Sequence, residues 1–114
     1  MLVFLMGLSM AAQAKNIEVG ILAFENGKKT VVAQVLAEEG KEIEVQDKNR
    51  NKLKILTNIV DEDELHIRIR KLNANGKVVS DSNIITFDDT GAEVDIENQS
   101  KQMERYEIYP KIMN

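Results

Sequence analysis

Residues 65–76 read Leu65-His66-Ile67-Arg68-Ile69-Arg70-Lys71-Leu72-Asn73-Ala74-Asn75-Gly76, and their pattern decides the fold class. Leu65, Ile67 and Ile69 alternate with His66, Arg68 and Arg70, a period of two that gives an extended strand one apolar and one polar face. Asn75-Gly76 then supplies two residues that tolerate positive φ, the strongest hairpin signal in the chain. The same period recurs on both sides. Ile17, Val19, Ile21 and Ala23 alternate ahead of Asn26-Gly27; Ile43 and Val45 precede a polar turn over 47–51; Leu53, Ile55 and Thr57 follow it. Ala92, Val94 and Ile96 form another set, and Tyr106, Ile108 and Pro110 close the series. Short alternating runs between turns every eight to twelve residues predict an all-β domain, a small antiparallel β-sandwich or barrel of seven to eight strands.

One segment reads two ways. Thr30–Glu39, TVVAQVLAEE, has apolar residues at 31, 32, 35 and 36, a helical spacing, with Gly40 placed as a helix stop. Its β-branched residues and the preceding Asn26-Gly27 turn favour a strand through Val31, Ala33 and Val35, and a short helix over 30–39 is the alternative.

The first fourteen residues carry no charge, whereas Lys and Arg (15) and Asp and Glu (19) all fall in the remainder. The apolar run Leu2–Met10 leads to Ala12-Gln13-Ala14, the small-x-small form that signal peptidase cleaves. The run is much shorter than the roughly 20 residues a membrane-spanning helix needs. The expectation is a signal peptide over 1–14 and a single β domain over 15–114, periplasmic or secreted, without a stable membrane anchor. No Lys or Arg stands ahead of Leu2, which departs from the usual basic start. No cysteine is present for a disulfide or a lipid anchor, so stability must come from packing. A net charge of −4 gives no bulk attraction for nucleic acid or an anionic membrane. Asn98-Gln99-Ser100 is a glycosylation sequon, meaningful only in a eukaryotic source.

Two segments match each other. With Gly40 over Gly91, Val35–Gln46 lies over Thr86–Glu97: acidic residues before the glycine, Glu two after it, then apolar-acidic-apolar. Two residues further on in register, Leu53–Ile59 lies over Tyr106–Ile112. This predicts two similar halves, each covering sheet edges of the other. Thr86–Ile96 and Tyr106–Ile112, with a fainter echo over Val35–Ile59, resemble strand-turn-strand segments of the bacterial secretin family and of other exported envelope modules. The resemblance implies a β scaffold in the cell envelope. It does not imply a pore, since the chain lacks the paired Val-Pro segment and membrane-facing strands of secretins, and no functional residue carries over.

No catalytic, cofactor-binding or metal-binding set stands out. His66 is the only histidine and reads as a surface residue beside Arg68 and Arg70. Asp61–Glu64 lacks the spaced ligands and glycine turn of a calcium loop and reads as a solvated turn. In Asp88-Asp89-Thr90-Gly91, Asp starts a turn and Gly supplies positive φ. Ser80, Ser82 and Ser100 lie outside any nucleophile-elbow pattern, and there is no Gly-rich phosphate loop. Lys52, Lys54, Arg68, Arg70 and Lys71 could form a basic stripe. It would either pair with acidic residues on neighbouring strands, such as Glu42 and Glu44, or dock an acidic partner. The expectation is a non-enzymatic module that binds another envelope or secreted protein through a strand edge or charged face. A small-ligand carrier or inhibitor on a barrel is the alternative, disfavoured by inward residues of a size that fills a core. A monomer and an edge-paired dimer both fit.

Overall fold

The computed structural model of the chain describes residues 15–47, 50–97 and 103–113. The expected signal peptide over 1–14 and the sequon at 98–100 lie outside them. The described chain forms eight strands: β1 (Asn16–Glu25), β2 (Lys28–Glu38), β3 (Glu42–Gln46), β4 (Lys52–Ile59), β5 (Glu64–Leu72), β6 (Val78–Phe87), β7 (Ala92–Glu97) and β8 (Met103–Met113). They make two four-stranded sheets, in order β2-β1-β8-β7 and β3-β4-β5-β6, with every neighbouring pair antiparallel. This is a β-sandwich, and no helix occurs among the described residues. Residues 30–38 belong to β2, with Val31 and Ala37 in the core and Ala33 and Val35 packed against it.

The alternation seen in the sequence is the alternation of burial. Ile17, Val19, Ile21 and Ala23 of β1 meet Leu53 and Ile55 of β4 and Leu65, Ile67 and Ile69 of β5 in one core, with Tyr106 and Ile108 of β8. Fully burying each such aliphatic side chain stabilises the fold by about 1.5–3 kcal/mol.

Two corners carry the chain between the sheets, and at each one successive amides bond to opposite layers. Glu39 N–H donates to the Lys15 carbonyl ahead of β1, and Gly40 N–H to Thr57 in β4, both at 2.9 Å. Asp88 N–H donates to the Asp63 carbonyl ahead of β5 (2.8 Å), and Asp89 N–H to Pro110 in β8 (2.9 Å). The corners relate two similar units, β1–β4 and β5–β8. Exchanging the units turns the order β2-β1-β8-β7 into β6-β5-β4-β3, the second sheet read from its other edge. Ile43 faces Ile55, and the residues 51 positions further on, Val94 and Tyr106, face each other likewise. The two similar halves are therefore present, with one correction. The register sets Tyr106 over Ile55, two residues from the expected Leu53. A shift of two keeps every side chain on its face, so the apolar pattern alone cannot detect it.

The turns correct two further expectations. Asn26 and Gly27 have φ of 54° and 79° and form the tight hairpin. At Asn75-Gly76 only Gly76 has positive φ (84°), and the connection is the longer loop 73–77. Asn73 organises it: its Oδ1 accepts from the amides of Asn75 (2.9 Å) and Lys77 (3.0 Å), a local side-chain turn that replaces the two-residue one. At the β6–β7 corner, Asp89 takes the positive φ (58°) and Gly91 does not. A Cβ at Gly91 would lie 2.6 Å from Cε1 of Tyr109, so this glycine makes room for an aromatic ring.

Candidate functional site

The expected basic stripe is largely assembled. Lys54 and Arg70 pair across β4 and β5, and Lys52 and Arg68 share their outward face. Each of these cations has an acidic neighbour. Arg70 Nη2 lies 2.5 Å from Glu42, Arg68 Nη2 lies 2.6 Å from Asp81, and Lys54 and Lys52 lie 3.9 Å from Glu42 and Glu44. The Arg68 guanidinium holds the Asp81 carboxyl below its ordinary range, chiefly through their hydrogen bond. The face thus runs from acidic β3 across two basic strands to the single acid Asp81 of β6, a pattern that binds the sheet to itself. His66 lies on it, half-exposed, with Nε2 2.9 Å from Glu64.

Lys71 does not join the stripe. It follows Leu65, Ile67 and Ile69 in parity and points between the sheets, its side chain 8% exposed. There its Nζ donates to Oε1 of Glu104 at 2.5 Å, and Tyr106 O–H donates to the same oxygen at 2.9 Å. Burial first, and then the adjacent Glu104 charge, push the Tyr106 hydroxyl far above its ordinary range. A Lys–carboxylate–Tyr trio in a cleft could in principle move protons. This one is shut between the sheets, with Lys71, Glu104 and Tyr106 all buried.

Of the four edge strands, β2, β7, β3 and β6, two carry exposed large apolar side chains beside unused backbone groups among the described side chains. Because Glu39 N–H bonds towards β1, the alternation of an antiparallel ladder turns the backbone groups of Val32, Gln34 and Leu36 outward, away from β1. Asp88 N–H bonds towards β5, so Asn83, Ile85 and Phe87 turn theirs outward from β6. Large apolar side chains flank both rows: Val32 is 70% and Leu36 62% exposed on β2, and Ile85 is 62% and Phe87 48% exposed on β6. Sequence reading missed these residues, although a signal was present. Val31-Val32, Val35-Leu36 and Ile84-Ile85 are adjacent apolar pairs, and a strand with one buried face needs only one member of each. The same doubling produced the apparent helical spacing over 30–39.

A depression of about 470 Å³ opens on the outer face of the β1–β8–β7 sheet, lined by Phe24, Asn26, Gly27, Met103, Arg105 and Glu107 among others. Arg105 is held across it by Asp95 at 3.0 Å and Glu93 at 3.5 Å. It lies outside the sandwich, not between the sheets where a barrel carrier would hold its ligand.

No known protein family matches the chain, and neither the curated proteins nor the solved structures contain a match.

Proposed function

We propose that this chain is an exported, non-enzymatic β module that binds another protein of the cell envelope by accepting an extended segment on the β6 edge. The observation that carries the reading is the pairing of unused backbone groups with exposed Ile85 and Phe87 along that strand. Strand addition draws its affinity from such backbone groups and its specificity from the alternate side chains. Natural sheets usually blunt a free edge with charge, and here the charge stops at Asp81, which Arg68 already holds. The leader-like start supports export. All eight strands lie beyond Ala14, so cleavage there leaves the fold whole. The resemblance of the corner segments to secretin-family units supports an envelope setting. The carrier reading gains nothing specific from the surface depression and is not pursued.

The test is in-cell cross-linking of the chain tagged at Asn114, in wild type, Ile85→Lys and Lys54→Gln. A specific envelope protein recovered with wild type and Lys54→Gln, and lost with Ile85→Lys, is the expected result. Equal recovery with Ile85→Lys would remove the β6 edge from the interaction.

A further inference from the structure

We propose that the other edge, β2, pairs antiparallel with β2 of a second copy of this chain, joining two four-stranded sheets into one of eight strands. The proposal concerns a different edge from the β6 reading and does not depend on it. Residues Thr30–Ala37 form an uncharged run on an eleven-residue edge strand, flanked by Lys28 and Lys29 at one end and by Glu38 and Glu39 at the other. Two copies laid antiparallel bring each basic end beside an acidic end. Laid parallel, they bring Lys beside Lys and Glu beside Glu, which opposes pairing. Glu38 already holds Lys41 at 3.0 Å, within the same acidic end.

The register follows from which groups are unused. Val32, Gln34 and Leu36 present both backbone groups on a regular stretch of the free edge, since the Glu38 carbonyl already accepts from Lys41 N–H (3.0 Å) and the β1–β2 ladder is irregular at Ala23/Phe24, opposite Thr30. Placing the two-fold axis at Gln34 sets Gln34 against Gln34 of the second copy. It also sets Val32 against Leu36 of the second copy, twice by symmetry. The two most exposed large apolar side chains of this strand then cover each other. On the opposite face, Ala33 meets Val35 of the second copy, extending the partly buried layer that packs on the core. Moving the axis to Ala33 sets Leu36 against the irregular Thr30, and moving it to Val35 sets Val32 against Glu38. Only the Gln34 axis sets the two exposed apolar side chains, Val32 and Leu36, against each other. On β6 an axis at Asn83 would set Ile85 against Asp81, and the strand itself lacks the basic and acidic ends that orient β2.

The chain has no cysteine, so a single introduced one reports on one site. Gln34→Cys puts two thiols on the proposed axis, where paired Cα atoms are about 5.5 Å apart, within disulfide or short bis-maleimide reach. Asn83→Cys places the thiol at the equivalent position of β6. Protein from cells expressing the full chain is followed by light scattering over a dilution series, with circular dichroism to verify folding. The expected result is a dimer mass for wild type, near-complete covalent dimer for Gln34→Cys and little for Asn83→Cys. Leu36→Lys, at an exposed position, shifts the mass to monomer with an unchanged β spectrum. A monomer at every concentration overturns the proposal, as does a covalent dimer formed by the Asn83→Cys variant and not by Gln34→Cys. A dimer that survives Leu36→Lys overturns it as well. A monomer that still captures an envelope protein overturns the β2 pairing while leaving the β6 reading intact.

Discussion

Lys71→Met should be among the most damaging single substitutions in this protein, although the residue is a lysine near a strand end. The side chains of Lys71 and Glu104 are 8% and 4% exposed, and their charged atoms are 2.5 Å apart. Removing the ammonium leaves a carboxylate in a site from which water is excluded, a loss of about 3–5 kcal/mol when one partner of a buried pair is deleted. Against a total stability of roughly 5–15 kcal/mol for a domain, that is a fifth or more of the margin. With a urea m-value of about 1–3 kcal/mol/M, the midpoint falls by about 2 M. At roughly 4–8 °C per kcal/mol, Tm falls by about 20 °C. Replacing the whole trio, Lys71→Met with Glu104→Met and Tyr106→Phe, removes both members of the ion pair together and should recover most of the loss, because an apolar group of similar volume needs no partner. Urea denaturation followed by circular dichroism measures both variants. A single variant that loses less than about 1 kcal/mol, or a triple variant no better than the single, would refute the description of this site as a dry, mutually dependent pair.

Thr57 is fully buried and its Oγ1 has no hydrogen-bond partner, while the equivalent position in the other half is Ile108. Thr57→Val should therefore raise stability by about 1–2 kcal/mol in the same denaturation assay. The two tyrosines, with no tryptophan to obscure them, make absorbance near 295 nm a direct titration. Tyr106 in the folded protein keeps its proton well above the ordinary tyrosine range, and the unfolded chain releases it near pH 10. Its contribution is fully present below about pH 10 and is lost as pH rises beyond it, by up to about 1.4 kcal/mol per pH unit. Tyr106→Phe should flatten the alkaline slope of stability by that amount. Gly91→Ala should displace the Tyr109 ring and cost about 1 kcal/mol, and the cost should vanish in a Tyr109→Ala background, a coupling that a double-mutant cycle reads directly.

The legibility of the chain followed the range of the physics involved. Strand existence and inward faces were readable at Leu65-Ile67-Ile69 and Ile17-Val19-Ile21, because a period of two is a local property that burial merely reveals. The matched segments around Gly40 and Gly91 were readable as two halves for the same reason. Their relative register was not, because a slip of two residues leaves the pattern unchanged. The basic stripe was legible at Lys52, Lys54, Arg68 and Arg70, and parity alone sets Lys71 apart from it. A hydrophilic side chain at an inward position is accepted only when a residue from a distant strand, here Glu104, arrives to meet it. Gly91 was read as a turn residue when it is a gap left for Tyr109, a contact between strands that no local rule contains.

By itself, then, the sequence determined the all-β class, the strand faces, the duplication and the absence of disulfide staples. Those depend on side-chain periodicity and composition within a few residues. The tertiary structure decided which strands stand at the edges, which apolar residues stay outside, and which residue meets the buried cation. Those depend on the order in which strands pair, and pairing is fixed by contacts between residues dozens of positions apart.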